Sequence, residues 1–460
     1  MKKFIGDKSF YKHVFIIAMP IIIQNVITSF VNLLDNVMVG QVGTEAMSGV
    51  AVVNQLIFVF NLGIFGFTSG VGIMGTQFVG KGDHKGFADT FKIKITVGFI
   101  YLLIAFGIFY FLGDTLIMSY LHDSEAGLDI ALTFQYAKDY FKVIVIGLPF
   151  FMVTQSYSTT LREMKQTSIP MLSGVAAFCT NLIFNYLLIF GKFGFPKLGI
   201  VGAAIATVFS RIVECSINVI WTHTHTDRAI FAKNILKSGR VDKGLVKKVL
   251  IIALPSLINE LMWAGGQTML NQNLSLRGIE AVSAVTIMSN VQYLFKSAFL
   301  GFGVTLAILV GNALGAKNPE LAVESDNKMI ALSFVVTLAL AVIVFVLAPF
   351  IPGMYNTIPE VKSIATKLIM LCAIGMPIDS LINNFYHTIK SGGNPLLNFM
   401  YDGGYTWIVM VPLAFCIGHF TNIPIAPMYA LIYYVSNGLK CIIGIILVRK
   451  RIWVRDLVNN

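Results

Sequence analysis

Charge is scarce in this chain. Only 12% of its 460 residues are Asp, Glu, Lys or Arg, against about 25% in an ordinary soluble domain. That shortage excludes a soluble enzyme carrying a single anchor. The five cysteines, Cys179, Cys215, Cys372, Cys416 and Cys441, lie in apolar stretches without metal-ligand or redox spacing. The seven histidines form no ligand motif; His223 and His225 occupy alternate positions that face apart on a helix. No cofactor is therefore expected. Phosphate-binding GxxxxGK[ST] is absent, which disfavours an ATP-driven pump. DDxxD-like acids and His-rich boxes are absent too, so an embedded lipid-modifying enzyme is the weaker alternative.

Apolar residues are abundant. They make up 56% of the chain, and the mean hydropathy is +0.76. Windows of about 20 residues, the length that crosses a bilayer, predict twelve spans. The first six are 14–38, 49–77, 90–112, 134–160, 168–190 and 199–221, and the second six are 248–272, 282–310, 328–351, 362–389, 396–418 and 425–449. The expected class is an all-α membrane protein with six-helix lobes at 1–221 and 248–460, joined by a polar linker at 222–247. The basic N-terminal stretch has no small-x-small cleavage site. A net charge of +11 does not call for nucleic acid here, because Lys and Arg gather in cytoplasmic loops of membrane proteins. Most of the 34 basic residues fall in the tails, the linker and the even-numbered loops, with Lys94, Arg162 and Lys390 counted among them. The loop 113–133 carries Asp114, Asp123, Glu125 and Asp129 and no Lys or Arg. Both termini are thus expected in the cytoplasm, with the chain in the inner (plasma) membrane.

The halves repeat. At an offset of 235 residues the chain aligns with itself without a gap from Pro20 to Gly80. Pro20 meets Pro255, Gly43 and Glu45 meet Gly278 and Glu280, and Gly80 meets Gly315. Six spans per unit make the repeats parallel, a transporter design in which substrate sites lie at mid-membrane.

Few groups within the spans carry chemistry. Asp35 lies in span 1, Glu260 in span 7, Asp379 in span 10, Lys296 in span 8 and Asp402 in span 11. A carboxylate at this depth marks an ion, proton or substrate pathway by default. Burial favours its neutral form, so it can exchange a proton for a cation. Glu260 stands opposite Asn25 in the repeat, beside Gln24, so the lobes have different tasks. Glu260, Asp379, Asn259 and Asn383 offer oxygen ligands of the kind Na⁺ prefers, with Lys296 as an internal counter-charge. Arg211 and Glu214 have the spacing of a structural pair on one helix face. Pro20, Pro149, Pro255 and Pro377 fall inside spans and read equally as kinks or hinges.

One pattern is specific: MP-x3-Q-x10-D-x-x-MVG-x-x-G, from Met19 through Asp35 to Gly43. With GKGDHKGFADT, TLREMKQTSIPM, GIVGAAIATVFSR and VGNALGAKNPELA, the chain resembles the multidrug and toxic compound extrusion (MATE) transporters over nearly its whole length. The resemblance implies two six-helix bundles facing each other and export of drugs or organic cations in exchange for Na⁺ or H⁺. It assigns Asp35 to protonation and substrate release, and Glu260 with Asp379 to the coupling cation. Two departures stand out: Asp379 is two residues after Pro377 rather than one, and IKSGGN replaces a segment that commonly holds Arg-Gly. A flippase for lipid-linked precursors is the alternative within related folds. It would need a strongly cationic cleft, which basic residues confined to loops would not provide. Besides membrane lipid no macromolecular partner is implied, and one chain holding both lobes is expected to work as a monomer.

Overall fold

The computed structural model describes residues 4–121, 129–235, 239–355 and 357–458. Asp123 and Glu125 lie outside the described residues. Among the described residues the chain is helical, with no strand. The first half contains α1 (Lys8–Gly40), α2 (Thr44–Lys81), α3 (His84–Tyr120), α4 (Ile130–Ile144), α5 (Leu148–Glu163), α6 (Ser168–Phe190) and α7 (Ile200–Thr224). A short α8 (Ile230–Asn234) lies in the linker. The second half contains α9 (Lys243–Ser275), α10 (Ile279–Gly315), α11 (Pro319–Leu347), α12 (Pro359–Ser391), α13 (Pro395–Phe399), α14 (Val411–Phe420) and α15 (Ile425–Arg449).

Eleven of the described helical segments are long and apolar enough to cross a membrane, α4 with α5 and α13 with α14 each forming one crossing. The remaining predicted span is α9, 33 residues long, which carries Asn259, Glu260, Gln267, Asn271, Gln272 and Asn273. Outward-facing positions are apolar at helical spacing, as with Val335, Leu338, Val342 and Val346 on α11.

The repeat reappears in the helix ends. Asp83 caps α3 by accepting from the Gly86 amide, and its twin Asn318 caps α11 by accepting from the Leu321 amide. The turns before these caps use positive φ at Gly82 (75°) and at its counterpart Lys317 (57°). Equivalent sequence positions therefore close equivalent turns, which hydrophobicity alone would not require.

Two compact units divide the described chain, one comprising Met1–Ile22, Thr76–Gly82 and Ile251–Asn460, the other Ile23–Gly75 and Asp83–Leu250. The core of the first runs through Val14, Ala18, Leu306, Met329, Leu368 and Met428 to Trp453. That of the second gathers Val53, Leu102, Ala137, Met152 and Ala204. Both α1 and α2 start in one unit and finish in the other. Within the first unit, α2 and α10 touch through small residues: a Cβ added at Gly80 would collide with the Asn312 carbonyl, and one at Gly315 with the Gln77 carbonyl. These two pairs are related by the same repeat offset.

Irregularities fall where polar residues need them. Pro149 follows a tight 3₁₀ turn, Val145–Gly147, that separates α4 from α5. Pro20, Pro255 and Pro377 sit inside continuous helices. Between α13 and α14 the backbone widens into π-helical turns at Met400–Gly404 and Thr406–Met410, a form that clusters at functional sites. Asp402 sits in the first of them.

Candidate functional site

In the second unit Asp35 is half-buried on α1. Its Oδ1 accepts a 2.6 Å hydrogen bond from Asn185 Nδ2, which also donates to Asn181 Oδ1 at 3.0 Å. Asn181 and Asn185 are one turn apart on α6 and fully buried. Gln24 belongs elsewhere on the same helix. Eleven residues separate it from Asp35, roughly 16 Å along the axis, and its Oε1 accepts from Arg162 Nη2 at 2.5 Å. Asn25 is half-buried beside it, and its carbonyl accepts from Ser29 Oγ. The expected trio of Asp35, Asn25 and Gln24 is thus two places on α1.

The same unit buries an ion pair that loop counting had hidden. Lys94 lies inside α3, and its Nζ is 2.5 Å from Glu163 Oε1 at the end of α5. Thr160 Oγ1 accepts from the same ammonium at 3.0 Å. Gly72 and Gly75 on α2 leave the space that the Glu163 carboxylate fills. Arg162 is likewise helical and largely buried rather than looped out. Arg211 lays its guanidinium over the Phe151 ring at 4.8 Å, and among the described residues it makes no ion pair with Glu214, contrary to the expected pairing.

In the first unit the acids are held by distinct partners. Glu260 Oε1 accepts from Tyr386 Oη at 2.9 Å and faces Lys390 Nζ at 3.5 Å. Lys390 also donates to Tyr386 Oη at 2.9 Å. The sequence placed Lys390 in a loop; it is the penultimate residue of α12 and is buried. Asp379 accepts from Tyr433 Oη and, at 3.1 Å, from Asn437 Nδ2, both on α15. Lys296 holds its ammonium 5.3 Å from the Trp263 ring centroid and makes no ion pair with an acid among the described residues.

Asn259 does not join its neighbour Glu260. Its Nδ2 donates to Asp402 Oδ2 at 2.9 Å and its Oδ1 accepts from the Gly403 amide at 2.8 Å. The other Asp402 oxygen meets Lys440 Nζ at 2.7 Å. The Tyr401 and Tyr405 rings flank that ammonium, with centroids at 5.4 and 5.7 Å. Asn383 occupies space left by Gly303, and its Nδ2 has no hydrogen-bond partner among the described residues. Of the four predicted cation ligands, Glu260 and Asp379 have separate donor sets, Asn259 serves Asp402, and Asn383 keeps an unpaired amide donor, Nδ2.

Sequence reasoning missed Lys440 and Asp326. Lys440 was visible as the single charge in the run from Ile425 to Val448. Asp326 fell outside the apolar window predicted to begin at 328, although α11 begins at Pro319.

The family model described as MatE matches residues 20–187 and 255–416. "Probable multidrug resistance protein NorM" from Thermotoga maritima is 28% identical over 416 residues, covering 87% of this chain and 84% of its own. "Probable multidrug resistance protein YoeA" from Bacillus subtilis is 22% identical, covering 91% and 89%. Among solved structures, an outward-facing conformation of a MATE family transporter of the MOP superfamily matches with a TM-score of 0.85 and 18% identity, over 98% of this chain and 97% of that one. A MOP superfamily transporter from Pyrococcus furiosus, described as having a binding pocket of reverse polarity, matches at 0.85 and 18%, over 100% and 98%. At such identities the structural matches establish the fold.

Proposed function

Because the chain belongs to the MatE family, whose members are multidrug efflux transporters rather than enzymes, we propose that it is a secondary antiporter exporting organic cations or related xenobiotics in exchange for Na⁺ or H⁺. Two six-helix lobes, 1–221 and 248–460, work by alternating access, in the cell's inner membrane with both termini cytoplasmic and as a monomer. Asp35 serves proton and substrate exchange, with Asn25 and Gln24 in supporting positions on α1.

One observation carries the coupling site: Asp379 is held by a phenol and an amide, not by a lysine. Its charge is therefore available to an exchangeable cation, with Asn383 one turn away on α12. Glu260 shares its charge with Lys390, so a cation taken there competes with that ammonium. Such competition suits a site that must release its ion when the compound binds, since only differential affinity shifts a conformational equilibrium.

The flippase alternative requires a cationic cleft. Lysines are buried here, contrary to the loop assignment, but Lys94, Lys390 and Lys440 each face a carboxylate, so they create no net positive surface for a pyrophosphate.

The decisive experiment is efflux of a fluorescent organic cation from vesicles, with Na⁺ and pH gradients imposed separately. Transport driven by one of them is expected. Glu260→Gln and Asp379→Asn should each abolish it while leaving membrane insertion intact. Full efflux from both variants removes the coupling assignment, and indifference to both gradients favours the flippase.

A further inference from the structure

Helix α12 presents two polar faces. One carries Asp379, Asn383, Tyr386 and Lys390. The other carries Ser380, Asn384 and Thr388 at four-residue spacing, so they line a single stripe. That stripe packs against α11. Thr388 Oγ1 donates to Asp326 Oδ1 at 2.5 Å. Two turns further along, Ser380 Oγ lies 2.8 Å from Ser333 Oγ and accepts from Thr337 Oγ1 at 3.1 Å. Asn384 lies between these rungs, one turn from each. Asp326 is 1% exposed, and Asn384 and Thr388 are wholly buried.

Two features of this seam are unresolved within the protein. Neither Oδ1 nor Nδ2 of Asn384 has a hydrogen-bond partner among the described residues; leaving such groups unpaired costs about 1–3 kcal/mol each. Asp326 makes no ion pair with Lys, Arg or His among the described residues, unlike Glu163, Glu260 and Asp402. A water molecule would satisfy the amide but leave the buried carboxylate to be neutralised by a proton, whose place a cation can take. A divalent ion would overshoot one carboxylate and leave net positive charge buried. The donors are all oxygen: carboxylate, hydroxyl and carboxamide.

We propose that Asp326, Thr388 and Asn384 form a second binding site for a small monovalent cation, Na⁺, between α11 and α12, distinct from the coupling acids. The Asp326 carboxylate supplies the charge. Thr388 Oγ1 turns its lone pairs to the ion, and Asn384 Oδ1 completes the protein ligands. The site locks α11 to α12 and behaves as a structural cation rather than an exchanged one.

Equilibrium binding of radioactive Na⁺ to purified full-length protein tests this, with K⁺ and choline as competitors. The triple variant Asp35→Asn/Glu260→Gln/Asp379→Asn should still bind one Na⁺ per chain. Adding Asp326→Asn, or the near-isosteric Thr388→Val, should weaken that binding about tenfold or more. If the triple variant does not elute as the wild-type protein does, the wild-type background serves: Thr388→Val lowers the bound Na⁺ by one per chain. No Na⁺ on the triple variant, or binding indifferent to both added substitutions, overturns the proposal. Efflux measurements test the coupling acids separately, so the two assignments fail independently.

Discussion

At the scale of single residues, the buried lysines carry the most information. Lys440 and Asp402 are both shielded from solvent, and each is also bonded or stacked by a third group. Removing one partner of such a pair leaves an uncompensated charge, at a cost of about 3–5 kcal/mol. Lys440→Met should therefore lower the thermal unfolding midpoint in detergent sharply, and Lys440→Met/Asp402→Asn should recover much of the loss. An uncorrected loss in the double variant would mean that the aliphatic stem of Lys440, not its charge, matters. Lys94→Met should behave like Lys440→Met, because Glu163 would keep its buried carboxylate without the ammonium. None of these pairings could be read along the chain. Lys440 is 38 residues from Asp402 and Lys94 is 69 from Glu163, so each pair forms only when distant helices pack. Asp35, Glu260 and Asp379 were legible because a carboxylate in an apolar run is conspicuous without knowledge of its partner.

At the scale of helices, ends and crossings decide the architecture. Arg277, in the turn after α9, donates to the carbonyls of Ile417, Gly418, Thr421 and Ile423. It thereby satisfies the orphan acceptors at the C-terminus of α14 and complements its dipole. Arg277→Ala should destabilise the protein by about 1–3 kcal/mol, and Arg277→Lys should rescue it only partly, since an ammonium lacks the planar fork. Melting curves of the two variants distinguish these outcomes. The contact of α2 with α10 is equally specific. Gly315→Ala places a methyl group against the backbone carbonyl of Gln77, which cannot rotate away as a side chain would. A loss of about 1–3 kcal/mol is expected for such overpacking, and an unchanged melting temperature would show that the helices slide apart freely. The spans themselves were legible because length and apolarity are local properties. α9 carries many polar residues for a physical reason: they can bond to other helices, as Asn259 does to Asp402. The ends of α11 and α12 were not legible, since Asp326 and Lys390 lower local hydropathy yet are buried by packing.

At the scale of the whole molecule, the repeat unites the observations. Shared turns at Gly82 and Lys317, and shared caps at Asp83 and Asn318, show one scaffold used twice. The chemistry placed on it differs between copies, with Asn25 standing where Glu260 stands in the second. Under the proposed mechanism, that inequality lets one half bind an ion while the other releases a proton or a compound. Exchange of the twins, Asn25→Glu with Glu260→Asn, should therefore insert and fold but lose gradient-driven efflux in vesicles. Retained efflux would mean the two positions are interchangeable.

The charge pairs in the first unit have an electrical consequence. A transmembrane potential does work of about 2.3 kcal/mol per elementary charge per 100 mV when that charge crosses the full field. Glu260 with Lys390, and Asp402 with Lys440, move as neutral dipoles, so any rearrangement of these helices transfers almost no charge on their account. These two pairs therefore give the membrane voltage little to act on. Neutralising one lysine leaves its pair with a net charge. Lys440→Gln should thus turn a nearly voltage-independent step into one that produces a transient current, recorded on protein adsorbed to a solid-supported membrane before any compound is added.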